Sequence, residues 1–288
     1  MPQTNLSTEL HNVKTSVQAG NTDLNIITVQ KELILAEKYA VEAKTVQKLA
    51  MQENILPSRY LRNFGTMGFE GQLSLLNSSV GIVGLGGLGG VTAELLARMG
   101  VGHLILIDND QFEDNNLNRQ LLSREDNLGE GKVNAAMQRI SRINSAVSTS
   151  PYSIALTKDN AEELLNGCDI VVDALDNMST RFVLQTTCRE LNIPMVHGAI
   201  GGFTGQVSTV FPTDRGLEVL YSGIKNDSDE YQDKLAEVEL GNPAATPTIT
   251  ASWQAQEVIK FLTANGELLR HRLLYLDSYT GNVEIIKY

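Results

Sequence analysis

Cysteine is almost absent from this chain: among 288 residues, only Cys168 and Cys188 carry thiols. Two thiols cannot build a disulfide framework or a four-thiolate metal site, so both are expected to be reduced. Positive charge is also in short supply. Twenty-three Lys and Arg face 34 Asp and Glu, leaving a net charge of −11. That balance argues against nucleic acid or an anionic membrane as the main partner, because either needs a cationic footprint. No apolar run approaches bilayer-spanning length, and the opening MPQTNLSTELHNVKTSVQAG lacks the apolar centre and cleavage pattern of a secretory leader, so a cytoplasmic location is expected. What remains, 42% hydrophobic and 20% charged, is the composition of a globular protein. The length suits one large α/β domain with a small appendage.

Residues from about 23 to 53 read as a helix, since Leu35, Tyr39, Ala43, Val46 and Ala50 recur at steps of three or four. Pro57 marks its exit. An N-terminal helical extension over 1–57 is therefore expected to pack on a main domain spanning 58–288 or on a second subunit. From Val80 the pattern alternates: VGIVG, a glycine-rich turn, TAELLARMG, then HLILID. Apolar run, helix and apolar run make a βαβ unit with parallel strands and a right-handed crossover. Further helices are expected over 132–143, 180–191 and 252–263, and further strands within 168–175, from 194, at 208–211 and at 274–277. The expected fold class is α/β, a Rossmann-type, mostly parallel sheet with helices on both faces. Residues 217–246 differ, being acidic, poorly periodic and closed by Pro243 and Pro247, as functional insertions often are.

Gly84, Gly86 and Gly89 form GxGxxG directly after a strand and directly before a helix, with Gly87 between them. Gly84 permits a tight turn, Gly86 admits a phosphate close to the main chain, and the helix start offers unpaired N–H groups and a positive dipole end. Asp108 closes the next strand, where a carboxylate accepts from ribose hydroxyls. The turn alone does not separate a dinucleotide from ATP. Cations nearby favour a triphosphate: Arg119 in Asn116-Leu117-Asn118-Arg119-Gln120, Lys132 in GEGKV, and Arg62 in Arg59-Tyr60-Leu61-Arg62. Asp176 in Asp173-Ala174-Leu175-Asp176-Asn177 ends a buried strand, where a magnesium ion or an α-phosphate would sit. An NAD-dependent oxidoreductase, resting on GxGxxG and Asp108 alone, leaves those cations without a role. A non-catalytic scaffold for a carrier protein or peptide is the other alternative.

R-Y-x-R, GLGGLG, D-x-D (Asp108 and Asp110), N-L-x-R-Q, G-x-x-K-V and D-x-x-D-N occur in an order that resembles the HesA/MoeB/ThiF family, relatives of ubiquitin-activating enzymes, over roughly residues 59–287. The resemblance implies an eight-stranded, largely parallel sheet extended by antiparallel strands, in a homodimer with one ATP site per subunit. By position it implies a nucleotide-contact set of Gly84, Gly86, Gly87, Gly89, Asp108, Asp110, Asn116, Arg119, Gln120, Lys132, Asp176 and Asn177. Asp108 would hold the ribose, Asn116, Arg119 and Lys132 the phosphates, and Asp176 magnesium. Arg62 would act with Arg119, Lys132 and Asp176 in catalysis, reaching the nucleotide of the neighbouring subunit.

The implied reaction is ATP-dependent adenylation of the C-terminal carboxylate of a small ubiquitin-like sulfur-carrier protein ending in Gly-Gly, in molybdopterin, tungsten-cofactor or thiamine synthesis. Two departures bear on it. The paired C-x-x-C zinc ligands of the family are missing, so no zinc is expected, and no cysteine falls within 217–246 to relay the acyl group. Cys168 and Cys188 read as core residues and His197 as a packed histidine, while the turn from Gly201 to Gln206 could border a channel for the Gly-Gly tail.

Overall fold

The computed structural model describes residues 2–222 and 240–288. Its main body is an eight-stranded sheet in the order β11-β10-β9-β8-β7-β4-β5-β6. Strands β4 (Ser79–Val83), β5 (His103–Ile107), β6 (Ser148–Tyr152), β7 (Ile170–Asp173) and β8 (Met195–Gly201) run parallel. Antiparallel strands β9 (Thr204–Val210), β10 (Arg272–Asp277) and β11 (Asn282–Lys287) extend the sheet beyond β8. The α/β sheet with antiparallel extension is thus present as expected.

Period two explains how this sheet buries both faces. Ile82, Leu104, Leu106, Ile170 and Val172 point into one core, shared with α5 (Gly89–Met99), α6 (Lys132–Ile143) and α10 (Ala245–Thr263). Their neighbours Val83, Ile105, Ile107 and Val171 point into the other, shared with α7 (Ala161–Leu165) and α8 (Met178–Glu190). Strand order reverses at β4, with β5 and β6 on one side and β7 and β8 on the other. The helices that follow β4 and β7, α5 and α8, therefore lie on opposite faces, and a crevice opens between them at the carboxyl ends, the place where open parallel sheets bind ligands.

The N-terminal segment departs from the expected continuous helix. Before it lies α1 (Pro2–Val13), and a three-stranded sheet is formed by β1 (Thr15–Ala19), β2 (Thr22–Ile27) and β3 (Ile55–Pro57). Residues 22–27 are strand because Leu24 and Ile26 alternate into a small core with Leu56 and Tyr60. The remainder divides into α2 (Val29–Tyr39) and α3 (Ala43–Gln52), separated at Ala40, whose φ of 50° is left-handed and ends the first helix. A buried polar chain joins this unit to the main body: Gln47 donates to Glu32 at 2.8 Å, Tyr60 to Gln47 at 3.0 Å, and Asn144 to Tyr60 at 2.9 Å and to the Ala97 carbonyl at 3.0 Å.

Helix α10 begins at Ala245, seven residues ahead of the expected start at 252. Pro247 is tolerated because the first turn has no intrahelical acceptor to satisfy. Of the expected irregular stretch over 217–246, α9 (Leu217–Leu220) is a short helix and residues 223–239 lie outside the described residues. No described helix is long and apolar enough to cross a membrane.

Candidate functional site

The glycines of the turn after β4 are fixed by two different demands. Gly84 has φ +89°, and a Cβ there would lie 2.5 Å from the Ala174 carbonyl oxygen; at Gly89 it would lie 1.8 Å from the Gly84 carbonyl oxygen. These two let the turn leaving β4 pack against the turn leaving β7. Gly86 is open by contrast, with the Gln120 amide at 3.5 Å the nearest neighbour of an added Cβ, while at Gly87 the Pro247 ring would be met at 3.1 Å. Helix α5 starts behind Leu88, which has no side-chain acceptor; the Gly90 N–H donates to the Gly86 carbonyl at 3.0 Å, and the positive end of the helix faces the turn, where it favours an anion.

Asp108 follows β5 and braces this turn. Its Oδ2 accepts the Leu85 N–H at 2.6 Å and its Oδ1 the Asp110 N–H at 2.8 Å. Burial pushes its carboxyl above the usual Asp range, against the opposing pull of Lys132. Lys132, the first residue of α6, is buried and its Nζ sits 2.9 Å from Asp110 Oδ2. A bridge between Gln111 and Gly131 draws the loops after β5 and before α6 together.

Asn116 is buried and its Oδ1 accepts the Glu113 N–H at 3.1 Å, so its side chain shapes a turn. Arg119 is half-buried, its Nη1 donating to the Asn115 carbonyl and to Asn118 Oδ1, both at 2.9 Å. Gln120 is buried beside Gly86, and its Oε1 has no hydrogen-bond partner among the described residues.

The turn after β7 completes the edge. Asp176 is exposed there, and Asn177 caps α8, accepting the Thr180 N–H at 2.9 Å. Asp173, wholly buried, accepts the Leu175 N–H at 3.1 Å and lies 3.6 Å from Arg181 Nε. Arg181 in turn donates to the Leu175 and Gly198 carbonyls. Sequence reasoning did not single out Arg181 or the role of Asp173. An acid inside the apolar run IVVDAL was the available signal, because a buried carboxylate requires partners.

Arg62 is the exception to the convergence expected from sequence. Tyr60 packs under Gly100 at the far end of α5, and Arg59 Nη1 donates to the Ile143 carbonyl at the far end of α6. Arg62 follows, exposed, at the end of α5 away from the glycine turn, about 16 Å along an 11-residue helix. Its own chain's turn is out of reach because the β-strand exit at Pro57 delivers it to the amino edge of the sheet.

The remaining expectations fall in the core. Cys168 and Cys188 pack among Leu165, Val171 and Leu184, and burial pushes the Cys168 thiol up to about 12 and raises that of Cys188. His197 is wholly buried, and burial lowers its pKa against the opposing effect of Asp173. The turn from β8 to β9 is overlaid by Leu240 and Gly241, the Gly202 N–H donating to the Gly241 carbonyl at 2.7 Å.

A nucleotide fits these residues: an open glycine backbone, a partly desolvated Asp108 and an unpartnered Gln120 oxygen adjoin one crevice. Among the described residues no group of three His, Cys, Asp or Glu could hold a metal by itself. Magnesium does not require one, since it commonly takes one or two carboxylates together with substrate phosphates and water.

The ThiF family model matches residues 58–288. The chain is 37% identical over 232 residues to the SAMP-activating enzyme E1 of Haloferax volcanii, an overlap of 80% of this chain and 84% of that one. It is 35% identical over 231 residues to the adenylyltransferase and sulfurtransferase MOCS3-1 of Zea mays, 76% of this chain but 46% of the maize protein. It thus spans about half the length of that relative. Among solved structures, E. coli MccB with AMPCPP and MccA superposes with a TM-score of 0.68 at 26% identity, over 80% of this chain and 71% of that one.

Proposed function

Because this chain belongs to the ThiF family, we propose that it is an ATP-dependent adenylyltransferase that activates the C-terminal glycine carboxylate of a small ubiquitin-like sulfur-carrier protein and releases pyrophosphate. The activated carrier then serves sulfur transfer in molybdopterin, tungsten-cofactor or thiamine synthesis. One observation carries this reading: the glycine turn, Asp108, Lys132, Arg119, Gln120 and the Asp176 turn share one edge of the sheet at its switch point. The relatives' names, which speak of activating and of adenylyl transfer, and the AMPCPP of the MccB crystal support it.

In this reading Asp108 receives the ribose hydroxyls and the N–H groups at the start of α5 receive phosphate oxygens. Gly86 gives the phosphates room, with the Gln120 amide beside them. Lys132, held by Asp110, and Arg119 are the cations that offset charge as it builds on the leaving pyrophosphate. Asp176 is the ligand for magnesium, which supplies further charge neutralisation on the phosphate oxygens when bound.

The chemistry asks little more of the protein. A carrier carboxylate is already ionised, so its oxygen attacks the α-phosphorus without a general base, the bond from that phosphorus to the bridging oxygen breaks, and an acyl-adenylate forms. Arg62, displaced from its own site, is assigned to the nucleotide of a second subunit in a homodimer. The cytoplasm is the proposed location. The test is ATP–pyrophosphate exchange with a Gly-Gly-tailed carrier, read with mass measurement of the carrier. Exchange together with an AMP-sized mass increment is expected, whereas tight NADH binding with no exchange would overturn the assignment.

A further inference from the structure

Two aromatic side chains outside the nucleotide edge are tied into it through Asp173. His197, in the middle of β8, places Nδ1 2.7 Å from Asp173 Oδ2, and its Nε2 lies 2.9 Å from the Tyr221 hydroxyl. A carboxylate can only accept, so Nδ1 carries the proton; Nε2 is then the acceptor and Tyr221 the donor. The two rings meet edge to face, with centroids 5.7 Å apart and planes at 89°. Tyr221 follows α9, and the hydrogen bond runs from there into the sheet interior.

The destination of this chain is the turn that carries Asp176. Asp173 holds the Leu175 N–H with its other oxygen, while Arg181, paired to the same carboxylate, holds the Leu175 carbonyl. Both peptide groups of Leu175 are therefore fixed immediately before Asp176. Ala174, one residue earlier, donates its N–H to the Val83 carbonyl at 3.0 Å and is the residue against which Gly84 packs. A carboxylate free to swing away from His197 would release the Leu175 N–H and shift both turns of the crevice.

We propose that His197 and Tyr221 are positioning residues for the nucleotide site: Tyr221 fixes the tautomer and ring of His197, His197 aims Asp173, and Asp173 sets the turn bearing Asp176. This rests on the adenylyltransferase reading for its substrate, and neither residue touches the reacting atoms. Backbone placement of this kind acts on nucleotide affinity and turnover and leaves carrier recognition alone.

The test uses the full chain and three variants, Tyr221→Phe, His197→Asn and His197→Ala. Binding of AMPCPP with magnesium is followed by calorimetry, and pyrophosphate exchange gives kcat and the KM for the carrier. Tyr221→Phe keeps the ring, so its melting temperature should hold, while affinity for AMPCPP falls about three- to tenfold, the scale of one lost hydrogen bond. kcat should fall with it and the carrier KM should stay. His197→Ala should lose more, about ten- to a hundredfold, and His197→Asn, whose amide can still donate to Asp173, should recover most of that loss. Wild-type affinity and kcat in both Tyr221→Phe and His197→Asn, with His197→Ala lowered only in melting temperature, overturns the proposal. Should His197→Ala fail to fold, the other two decide. A wild-type chain that binds AMPCPP but never exchanges pyrophosphate removes the adenylation reading, and the titrations then decide the positioning role by themselves. One that does not bind AMPCPP overturns both.

Discussion

Gly86 and Gly89 are three residues apart in one turn and answer to different constraints. An added methyl at Gly89 meets the Gly84 carbonyl oxygen at 1.8 Å, so Gly89→Ala must break the packing of the two turns. A loss of about 2 kcal/mol or more in unfolding free energy is expected from denaturant titration. At Gly86 the same methyl has space, so Gly86→Ala should leave the melting transition in place and weaken ATP binding by about tenfold, because the phosphate and not the protein is displaced. Asp176 is exposed and Arg119 is half-buried with hydrogen bonds only to Asn115 and Asn118 of its own loop, so Arg119→Ala and Asp176→Ala should each cut pyrophosphate exchange by at least about a hundredfold with the fold intact. Precipitation of either variant would mark the residue as structural. Glycines and charges of this type were legible in the sequence because their spacing from a strand end fixes their position. The partners of Asp173 were not: His197 and Arg181 come from other elements, and no local spacing reports which way a buried side chain turns.

The β4–α5–β5 unit was readable as an element because uninterrupted apolar runs bounded by glycine leave few alternatives. Residues 22–53 were not, since Leu35, Tyr39, Val46 and Ala50 carry a helical period that masks the two-residue alternation of Leu24 and Ile26 just ahead of them. The resulting pair of helices carries a titratable group in the seam. Glu32 is buried against Gln47, and burial raises its pKa above the ordinary Glu value, with the Gln47 hydrogen bond and the Arg59 charge opposing. The folded protein therefore binds this proton more tightly than the unfolded chain does. Stability contributed by the protonated acid is full below the unfolded pKa and declines as pH rises through the folded one. Glu32→Gln, which keeps a hydrogen-bonding side chain and removes the charge, should raise the melting temperature above that window and leave it unchanged at lower pH. Parallel melting curves at every pH would show that Glu32 does not titrate with folding.

Taken whole, the molecule has its nucleotide turn at one end of α5 and the R-Y-x-R segment at the other. In the proposed homodimer Arg62 would meet the phosphate of the second subunit, and twofold symmetry makes the prediction quantitative. Arg62→Ala and Asp176→Ala should each be inactive alone, yet mixing equal amounts with subunit exchange should restore about a quarter of the sites, since half the dimers are mixed and each of those rebuilds one complete site. No recovery on mixing, with dimers confirmed by sedimentation, would remove Arg62 from the reaction.

The contact between Gly84 and Ala174 has a consequence for motion. The Gly84 amide is bonded to the Ile107 carbonyl and the Ala174 amide to the Val83 carbonyl, so each turn is anchored on the strand next to its own. With the Gly84 α-carbon seated directly on the Ala174 carbonyl, neither loop can lift without the other. The rim of the crevice should breathe as a single unit, its two amides acquiring deuterium at matched rates and slowing together when a nucleotide is added.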